Sequence, residues 1–499
     1  MEPIILDTMN VSVESRDLGI WKNREKFYEC MESQDGPLAS IMVLGYNRLE
    51  KTKYCVECIL EHTKNITYEL ILVDNGSEDG TYEYYQSVPW ENKVIIKVTK
   101  NIGSAYPWQT VKRIYKGKYL VTVSNDVYVT KNWLSNLLAC LESDRTIGFV
   151  APVSSNVSNW QSVDLRYNSM EEMQRKAAEF NVPDPKKWEE RMRLISILTI
   201  FKREVIDLVG TPDYGFIHDF GEDDYAARLR RAGYKLILCG DTYVCHDDDL
   251  HKKGGDPAYN QRLEIGRKAF KGKYHGLDAW DDITNFDRNL ISTLDPAAFH
   301  QPSVRCLCID TRCGTPVLEI RNRFRKAGAD HKIVSHAFTS QAIYFQELQQ
   351  LAEEAVCDRI DFIQEHYSND SMDIILLGEP VNTYHRPAAL VQKLLGFLKK
   401  GGSLLLKIRN VEDYPSLLQS VQLGGFGDPS FPYELTLSQF NSCLESLGAE
   451  SVQIQDEPWG FDAAISERIR SMAKLLNPAR EEALCAQLMT MNYLYHIVK

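Results

Sequence analysis

The chain has 499 residues, 44% of them hydrophobic and 25% charged, with a formal net charge of -12 and a pI near 5.5. Domains cluster at about 100–200 residues, so a chain of this length is expected to fold as more than one globular unit. The acidic balance and the lack of any long basic stripe exclude the usual nucleic-acid footprint, and the composition excludes wholesale disorder.

Residues 1–37 read as an N-terminal extension with short helices. Met1–Asn10 holds no basic segment followed by an apolar run, and no stretch approaches the ~18 apolar residues of a membrane span. A cytoplasmic protein with no membrane span is expected. The twelve cysteines are scattered. Cys55 and Cys58 form a C-x-x-C with no second ligand pair, so they read as reduced, buried thiols rather than a zinc site.

The apolar run Ser40–Leu44 reads as a strand ending at Gly45-Tyr46-Asn47-Arg48, and a helix follows over Leu49–His62. Tyr68–Val73 is a second strand ending at Asp74-Asn75-Gly76-Ser77, Val94–Val98 a third ending near Asn101, and Tyr119–Val123 a fourth ending at Ser124-Asn125-Asp126. Strands alternating with helices imply a parallel α/β sheet with helices on both faces. Ligands of such sheets lie beyond the carboxyl ends of the strands, and each polar cluster falls at such an end.

Residues 154–194 break the pattern and read as an excursion over the site, where acceptor loops are expected. Regular structure resumes over Ile195–Phe201 and then Glu204–Val209, followed by an acidic cluster, a helix and a strand between Gly215 and Asp249. The expected organisation is a domain over 38–255, a bridge over 256–302 and a second α/β domain over 303–499. Strands of the second domain are placed at Val304–Ile309, Lys332–Val334, Arg359–Phe362, Asp373–Leu377 and Ser403–Ile408.

Sugar transfer from a nucleoside diphosphate needs a grip on base and ribose, a cation for the departing diphosphate and a base for the acceptor hydroxyl. Asp74 suits the first need, and Gly76 and Gly80 permit close backbone approach; a plain Asx turn fits as well. Asp126 is a candidate ligand for Mg²⁺ or Mn²⁺, with His246 completing the shell through a neutral ring nitrogen. Glu222, Asp223 and Asp224 open a helix, where acids also favour the dipole; a base for the acceptor is the functional reading.

Five strings carry a resemblance: A-S-I-M-V-L-G-Y-N-R, L-I-L-V-D-N-G-S-E-D-G-T, K-N-I-G-S-A-Y, V-S-N-D-V-Y-V-T-K-N-W-L and G-E-D-D-Y-A-A-R-L-R-R-A-G-Y, followed by His246. Residues from about 38 to 250 resemble a family-2 glycosyltransferase with the GT-A fold. The resemblance implies a nucleotide-sugar site lined by Gly45, Tyr46, Asn47, Arg48, Asp74, Asn75, Ser77, Asn101, Gly103, Ser104, Asn125 and Asp126. It further implies metal ligation by Asp126 and His246, and Asp223 as base of a single, inverting displacement tuned by Glu222 and Asp224. The usual D-x-D is replaced by Ser124-Asn125-Asp126, which lowers the charge at the metal. A UDP-sugar donor and a hydroxyl acceptor on a glycan or on a protein, such as a surface protein or flagellin, are implied.

Residues 303–499 resemble a class I S-adenosylmethionine-dependent methyltransferase, through C-L-C-I-D-T-R-C-G-T, S-M-D-I-I-L-L-G-E-P and L-L-G-F-L-K-K-G-G-S-L-L-L-K-I. Thr311 and Arg312 stand where an early glycine is expected, and Ser335-His336-Ala337-Phe338 supplies no acid for a ribose. A degenerate module for docking or homo-oligomerisation is expected, the alternative being a bifunctional enzyme that also binds S-adenosylmethionine and methylates.

Overall fold

A computed structural model describes residues 2–8, 36–216, 219–248, 257–282, 286–423, 436–445, 447 and 451–499. Most of the N-terminal extension (9–35), and Asp249, lie outside them. The chain divides into two compact units, residues 1–283 and 284–499.

The first unit is built on a ten-stranded sheet. Its strands are β1 (Ile4–Leu6), β2 (Ala39–Gly45), β3 (Tyr68–Asp74), β4 (Lys93–Val98), β5 (Tyr119–Ser124), β6 (Val127–Tyr128), β7 (Ile147–Ser154), β8 (Trp188–Arg191), β9 (Leu198–Lys202) and β10 (Lys235–His246). They run in the order β1-β4-β3-β2-β5-β9-β7-β10-β6, with β8 paired to β10. Strands β1 to β5 are mutually parallel. The sheet is nevertheless mixed, which corrects the parallel arrangement expected from alternation: β9 runs antiparallel to both β5 and β7. A short apolar strand buried on both faces, such as Leu198–Lys202, carries no mark of its direction. Part of the N-terminal extension also joins the sheet, as edge strand β1.

Helices α1 (Leu49–His62), α2 (Thr81–Ser87), α3 (Trp108–Ile114), α4 (Trp133–Glu142), α5 (Met170–Phe180), α6 (Arg203–Val209), α7 (Gly221–Arg231) and α8 (Pro257–Lys273) belong to this unit. On α1, Thr52, Cys55, Val56 and Ile59 recur at helical spacing and are buried, the stripe that packs a helix on a sheet. Burial raises the thiol of Cys58, on the same helix, to about 12 and that of Cys55 well above its ordinary value, so both stay protonated and inert.

The second unit carries a seven-stranded sheet. Its strands are β11 (Ser303–Ile309), β12 (Lys332–Thr339), β13 (Glu354–Cys357), β14 (Met372–Leu377), β15 (Leu398–Arg409), β16 (Ser451–Pro458) and β17 (Thr490–Val498). The order is β13-β12-β11-β14-β15-β17-β16, parallel as far as β15, with β17 antiparallel between β15 and β16. This is an open, mainly parallel α/β sheet with an antiparallel final strand inserted beside its edge. One expected strand is misplaced: Arg359–Phe362 opens a 3-10 turn over Ile360–Glu365, and β13 lies just before it. The Asp358 carboxylate accepts the Arg359 N–H at 2.7 Å and Arg359 pairs with Asp361 at 2.9 Å, local bonding that favours a turn over a ladder.

Asp278 fixes the α8 end of the first unit. Its carboxylate receives Arg267 at 2.9 and 3.0 Å and Lys271 at 2.8 Å, while Arg267 lies 3.9 Å over the Trp280 ring. Burial pushes its carboxyl upward, but the two cations outweigh it and hold the group at about 2, against an ordinary value of 3.8. A depressed carboxyl stabilises the fold above its ordinary value and loses that stabilisation as pH falls through the depressed one. Asp278→Asn is therefore expected to cost about 2 kcal/mol near neutral pH. The gap to the parent should close between pH 4 and about 2, as read by urea unfolding across a pH series.

Candidate functional site

The carboxyl ends of the adjacent strands β3, β2 and β5 form the floor of the site. Gly45 sits where a Cβ would meet the Tyr85 hydroxyl at 2.5 Å, and Gly76 (φ 84°) where one would meet the Asn101 backbone nitrogen at 2.6 Å. Both positions therefore exclude any side chain. After Gly45, Asn47 and Arg48 adopt left-handed conformations (φ 54° and 61°). They are held by the Ser77 hydroxyl accepting the Asn47 N–H at 2.9 Å, and by the Asn125 amide donating to the Asn47 carbonyl at 2.9 Å and to Thr52 at 2.8 Å. Asn75 donates to Asn101 at 3.4 Å and to the Gly103 carbonyl at 3.3 Å. Asn75, Asn101, Gly103 and Asn125 thus brace the loops, whereas Tyr46 is about half exposed at the rim.

Asp74 is fully buried. Its Oδ1 accepts the Ser77 N–H at 3.0 Å, while Oδ2 is buried without a partner. Burial pushes this carboxyl up, against the pull of Ser77 and Lys97. A buried acceptor without a donor is costly and is the opening that a base or ribose donor would fill.

The end of β10 pairs antiparallel with β6, setting His246 opposite Val127, and the Asp247 N–H donates to the Asp126 carbonyl at 2.9 Å. This pairing brings ligand atoms of Asp126, His246 and Asp248 within 4.8 Å of one another. The His246 Nδ1 lies 3.0 Å from the Asn156 carbonyl, which assigns the ring proton to Nδ1 and turns the Nε2 lone pair toward Asp126 Oδ1 at 3.7 Å. Such an outer bond is the usual way a ligating imidazole is fixed. Two carboxylates and an imidazole suit Mn²⁺ better than Mg²⁺, which prefers oxygen alone. Arg48 meets Asp126 at 2.6 Å and comes within 3.9 Å of Asp248, balancing part of the charge.

The three acids of α7 have separate fates. Asp223 is buried and its Oδ1 meets Arg193 at 2.6 Å. Glu222 accepts the Ser196 N–H at 3.1 Å and its hydroxyl at 3.0 Å, and its carboxyl is pushed up by burial despite Arg193. Asp224 stands apart from the other two. It is fully buried among Arg228 (2.9 Å), Lys273 (2.5 Å) and Tyr274 (2.8 Å), and so ties α8 to α7. A cavity of about 290 Å³ lies beside them, lined among others by Leu44, Ser104, Ser124, Ser196 and Glu222; Asp74, Asp126, Asp223, His246 and Asp248 are not among its lining residues. Ser124 is bonded through its N–H to the Ile197 carbonyl at 2.9 Å, so the β5 end and the start of α7 flank one opening.

Three contributors were not read from the sequence: Asp248, Arg193 and Ser196. Asp248 had a signal, since residues two apart on an extended strand share a face and His246 precedes it by two. Arg193 and Ser196 lie in the irregular 154–194 excursion and just after it, where no periodicity points to α7.

In the second unit, Asp310 (φ 47°) ends β11. Its Oδ1 accepts the Ser340 N–H at 2.6 Å and hydroxyl at 2.9 Å, and its Oδ2 accepts the Tyr384 hydroxyl at 2.7 Å. Arg312 crosses to Glu379, beyond the end of β14, at 2.9 Å. A Cβ on Gly314 would meet Leu351 at 2.6 Å. Ser335–Phe338 lies within β12, and the strand ends at Thr339 without an acid. These polar groups bond to one another across the ends of β11, β12 and β14.

Residues 40–205 match the family model "Glycosyl transferase family 2". The glycosyltransferase AglE of Haloferax volcanii is 24% identical over 214 residues, which cover 42% of this chain and 67% of that protein. The uncharacterized glycosyltransferase YfnE of Bacillus subtilis is 24% identical over 110 residues, 22% of this chain and 28% of its own length. Among solved structures, the mannosyltransferase PcManGT of Pyrobaculum calidifontis, in complex with GDP-Man and Mn²⁺, aligns with TM-score 0.33 and 17% identity, covering 62% of this chain and 93% of that one. A SAM-dependent methyltransferase of Archaeoglobus fulgidus aligns with TM-score 0.31 and 16% identity, over 46% of this chain and 98% of that one. No helix among the described residues is long and apolar enough to cross a membrane.

The cluster predicts Mn²⁺ affinity that depends on all three groups. Asp248→Asn and His246→Ala should each weaken Mn²⁺ binding at least ~10-fold, as read by calorimetry, since even outer-shell changes cost 10–100-fold. Asp224→Asn should leave Mn²⁺ affinity intact while lowering thermal stability.

Proposed function

Because residues 40–205 are a glycosyltransferase family 2 domain, we propose that the chain transfers a sugar from a nucleoside-diphosphate donor, UDP-linked in the first instance, to a hydroxyl of a glycan or protein acceptor with inversion at the anomeric carbon. The observation that carries the reading is the Asp126–His246–Asp248 cluster at the end of β5, on the strand whose last residue, Ser124, lines the same cavity as Glu222.

Asp74 Oδ2 accepts a hydrogen bond from the base or ribose, and exposed Tyr46 offers a ring at the rim. Asp126, His246 and Asp248 would hold Mn²⁺, which when bound neutralises charge on the departing diphosphate. Arg48, already on Asp126, is placed to share that load. Asp223 is the base: Arg193 fixes Oδ1, leaving Oδ2 to take the proton of the acceptor hydroxyl as it attacks. Glu222, clamped by Ser196, sets the entry of α7 and keeps a second carboxylate beside the base. These roles give one displacement at the anomeric carbon.

Two measurements test this. Asp223→Asn should lower kcat by about 10²–10⁴ with donor affinity unchanged, and the anomeric configuration of product, read by NMR, should be opposite to that of donor. Retention, or an Asp223→Asn enzyme of native rate, would overturn the reading. Asp74→Asn should weaken donor binding about tenfold or more. In the parent, donor affinity should begin to fall on acidification at a pH above the ordinary carboxylate range, since burial raises this carboxyl.

A further inference from the structure

The cavity between the β5 end and α7 has a floor unlike its rim. The rim carries Ser104, Ser124, Ser196 and Glu222, while the floor is a cluster of rings from Trp108, Phe149, Phe201 and Tyr225. Phe149 stacks on Phe201 with centroids 5.0 Å apart. Trp108 and Tyr225 meet Phe201 edge-on at 5.9 and 5.6 Å. Rings locked edge to face hold one another in place, so the pocket is preformed.

Part of the hydrogen-bonding capacity beside the rings is already taken up. Thr122 and Thr199 bond each other at 2.7 Å, and the Tyr225 hydroxyl donates to the Gly210 carbonyl at 2.9 Å. A sugar hydroxyl pressed onto the ring faces would give up water without an equal partner. A methyl there would instead bury apolar surface.

We propose that this cavity receives the donor sugar and selects one bearing an apolar substituent, a 6-deoxy or N-acetyl methyl, seated on the Trp108–Phe149–Phe201–Tyr225 rings. The proposal rests on the transferase reading above, and the lining residues Ser124 and Glu222 stand next in the chain to Asn125-Asp126 and to Asp223. Ala105, buried in the cavity wall, limits the room beside the rings.

The full chain with Mn²⁺ is given base-matched donor pairs: UDP-N-acetylglucosamine against UDP-glucose, dTDP-6-deoxyglucose against dTDP-glucose, and GDP-6-deoxymannose against GDP-mannose. Calorimetric affinity and kcat/KM for diphosphate release are read for each. At least a ~10-fold preference for the methyl-bearing member is expected in one pair, the scale of methyl discrimination in apolar pockets being 10–200-fold. Ala105→Leu, which fills the space, should bring that ratio toward one. Ratios near one or reversed in every pair overturn the sugar preference while leaving transfer itself intact. A preference that survives Ala105→Leu overturns its placement in this cavity. If no donor is bound or consumed, the transferase reading falls and this proposal with it.

Discussion

The site depends on how negative charge is held at one edge of a sheet. Asp126 and Asp248 stand within reach of each other and of the His246 ring, and like charges this close repel unless a cation intervenes. The backbone permits no escape, since β6 and β10 are paired through His246 and Val127, and the Asp247 N–H is fastened to the Asp126 carbonyl. Arg48 supplies part of the compensation, from a left-handed residue locked by Ser77, Asn125 and Thr52 through its neighbours. Arg48 is one guanidinium shared between these two carboxylates.

The two units solve the same topological problem in opposite ways. Both gather polar residues beyond the carboxyl ends of parallel strands, where ligands of α/β sheets lie. In the first unit Asp74 keeps one oxygen buried and without a partner, a cost that the proposed donor contact would offset. In the second, Asp310 is bonded at both oxygens by Ser340 and Tyr384, and Arg312 is spent on Glu379. The strand order is that of an open α/β sheet, and the polar groups named here bond to one another across its strand ends.

Much of this was legible in the amino-acid sequence, for an identifiable reason. β2, β3 and β5 are buried on both faces, so they appear as short apolar runs, and the first polar residue after each marks the rim. That logic finds Asp74 and Asp126, and it finds the helix α7 from its three acids. It is silent on strand direction, hence the misjudged β9. It also fails where composition is ambiguous: Arg359–Phe362 alternates like a strand, yet Asp358 and Asp361 bond locally and turn the chain, while β13 has an unremarkable Glu-Ala-Val-Cys. Asp248 sits in a run of three aspartates that reads as solvated charge, and only its register after His246 sets it apart. Asp224 was expected to tune Asp223, but successive helical residues point in different directions, and Asp224 is bonded to Arg228, Lys273 and Tyr274 instead.

The residues no sequence pattern could locate are those holding the site rigid, and strain marks them. Left-handed non-glycine residues are uncommon, yet they recur around this opening: Asn47 and Arg48 after β2, Asn156, Asn159 and Trp160 after β7, and Phe220 before α7. Each segment performs a clamp. The Asn156 carbonyl fixes the His246 ring, the Asn159 amide holds the Arg193 carbonyl at 2.9 Å, and Phe220 turns the chain so that Glu222 and Asp223 open a helix. A conformation costing about 1–3 kcal/mol persists only where the surroundings over-determine it, and here the surroundings are the proposed metal-ligand and base positions. The Asn159 amide holds the backbone of Arg193, whose guanidinium meets Asp223, so the irregular excursion over residues 154–194 helps to set the position proposed for the base.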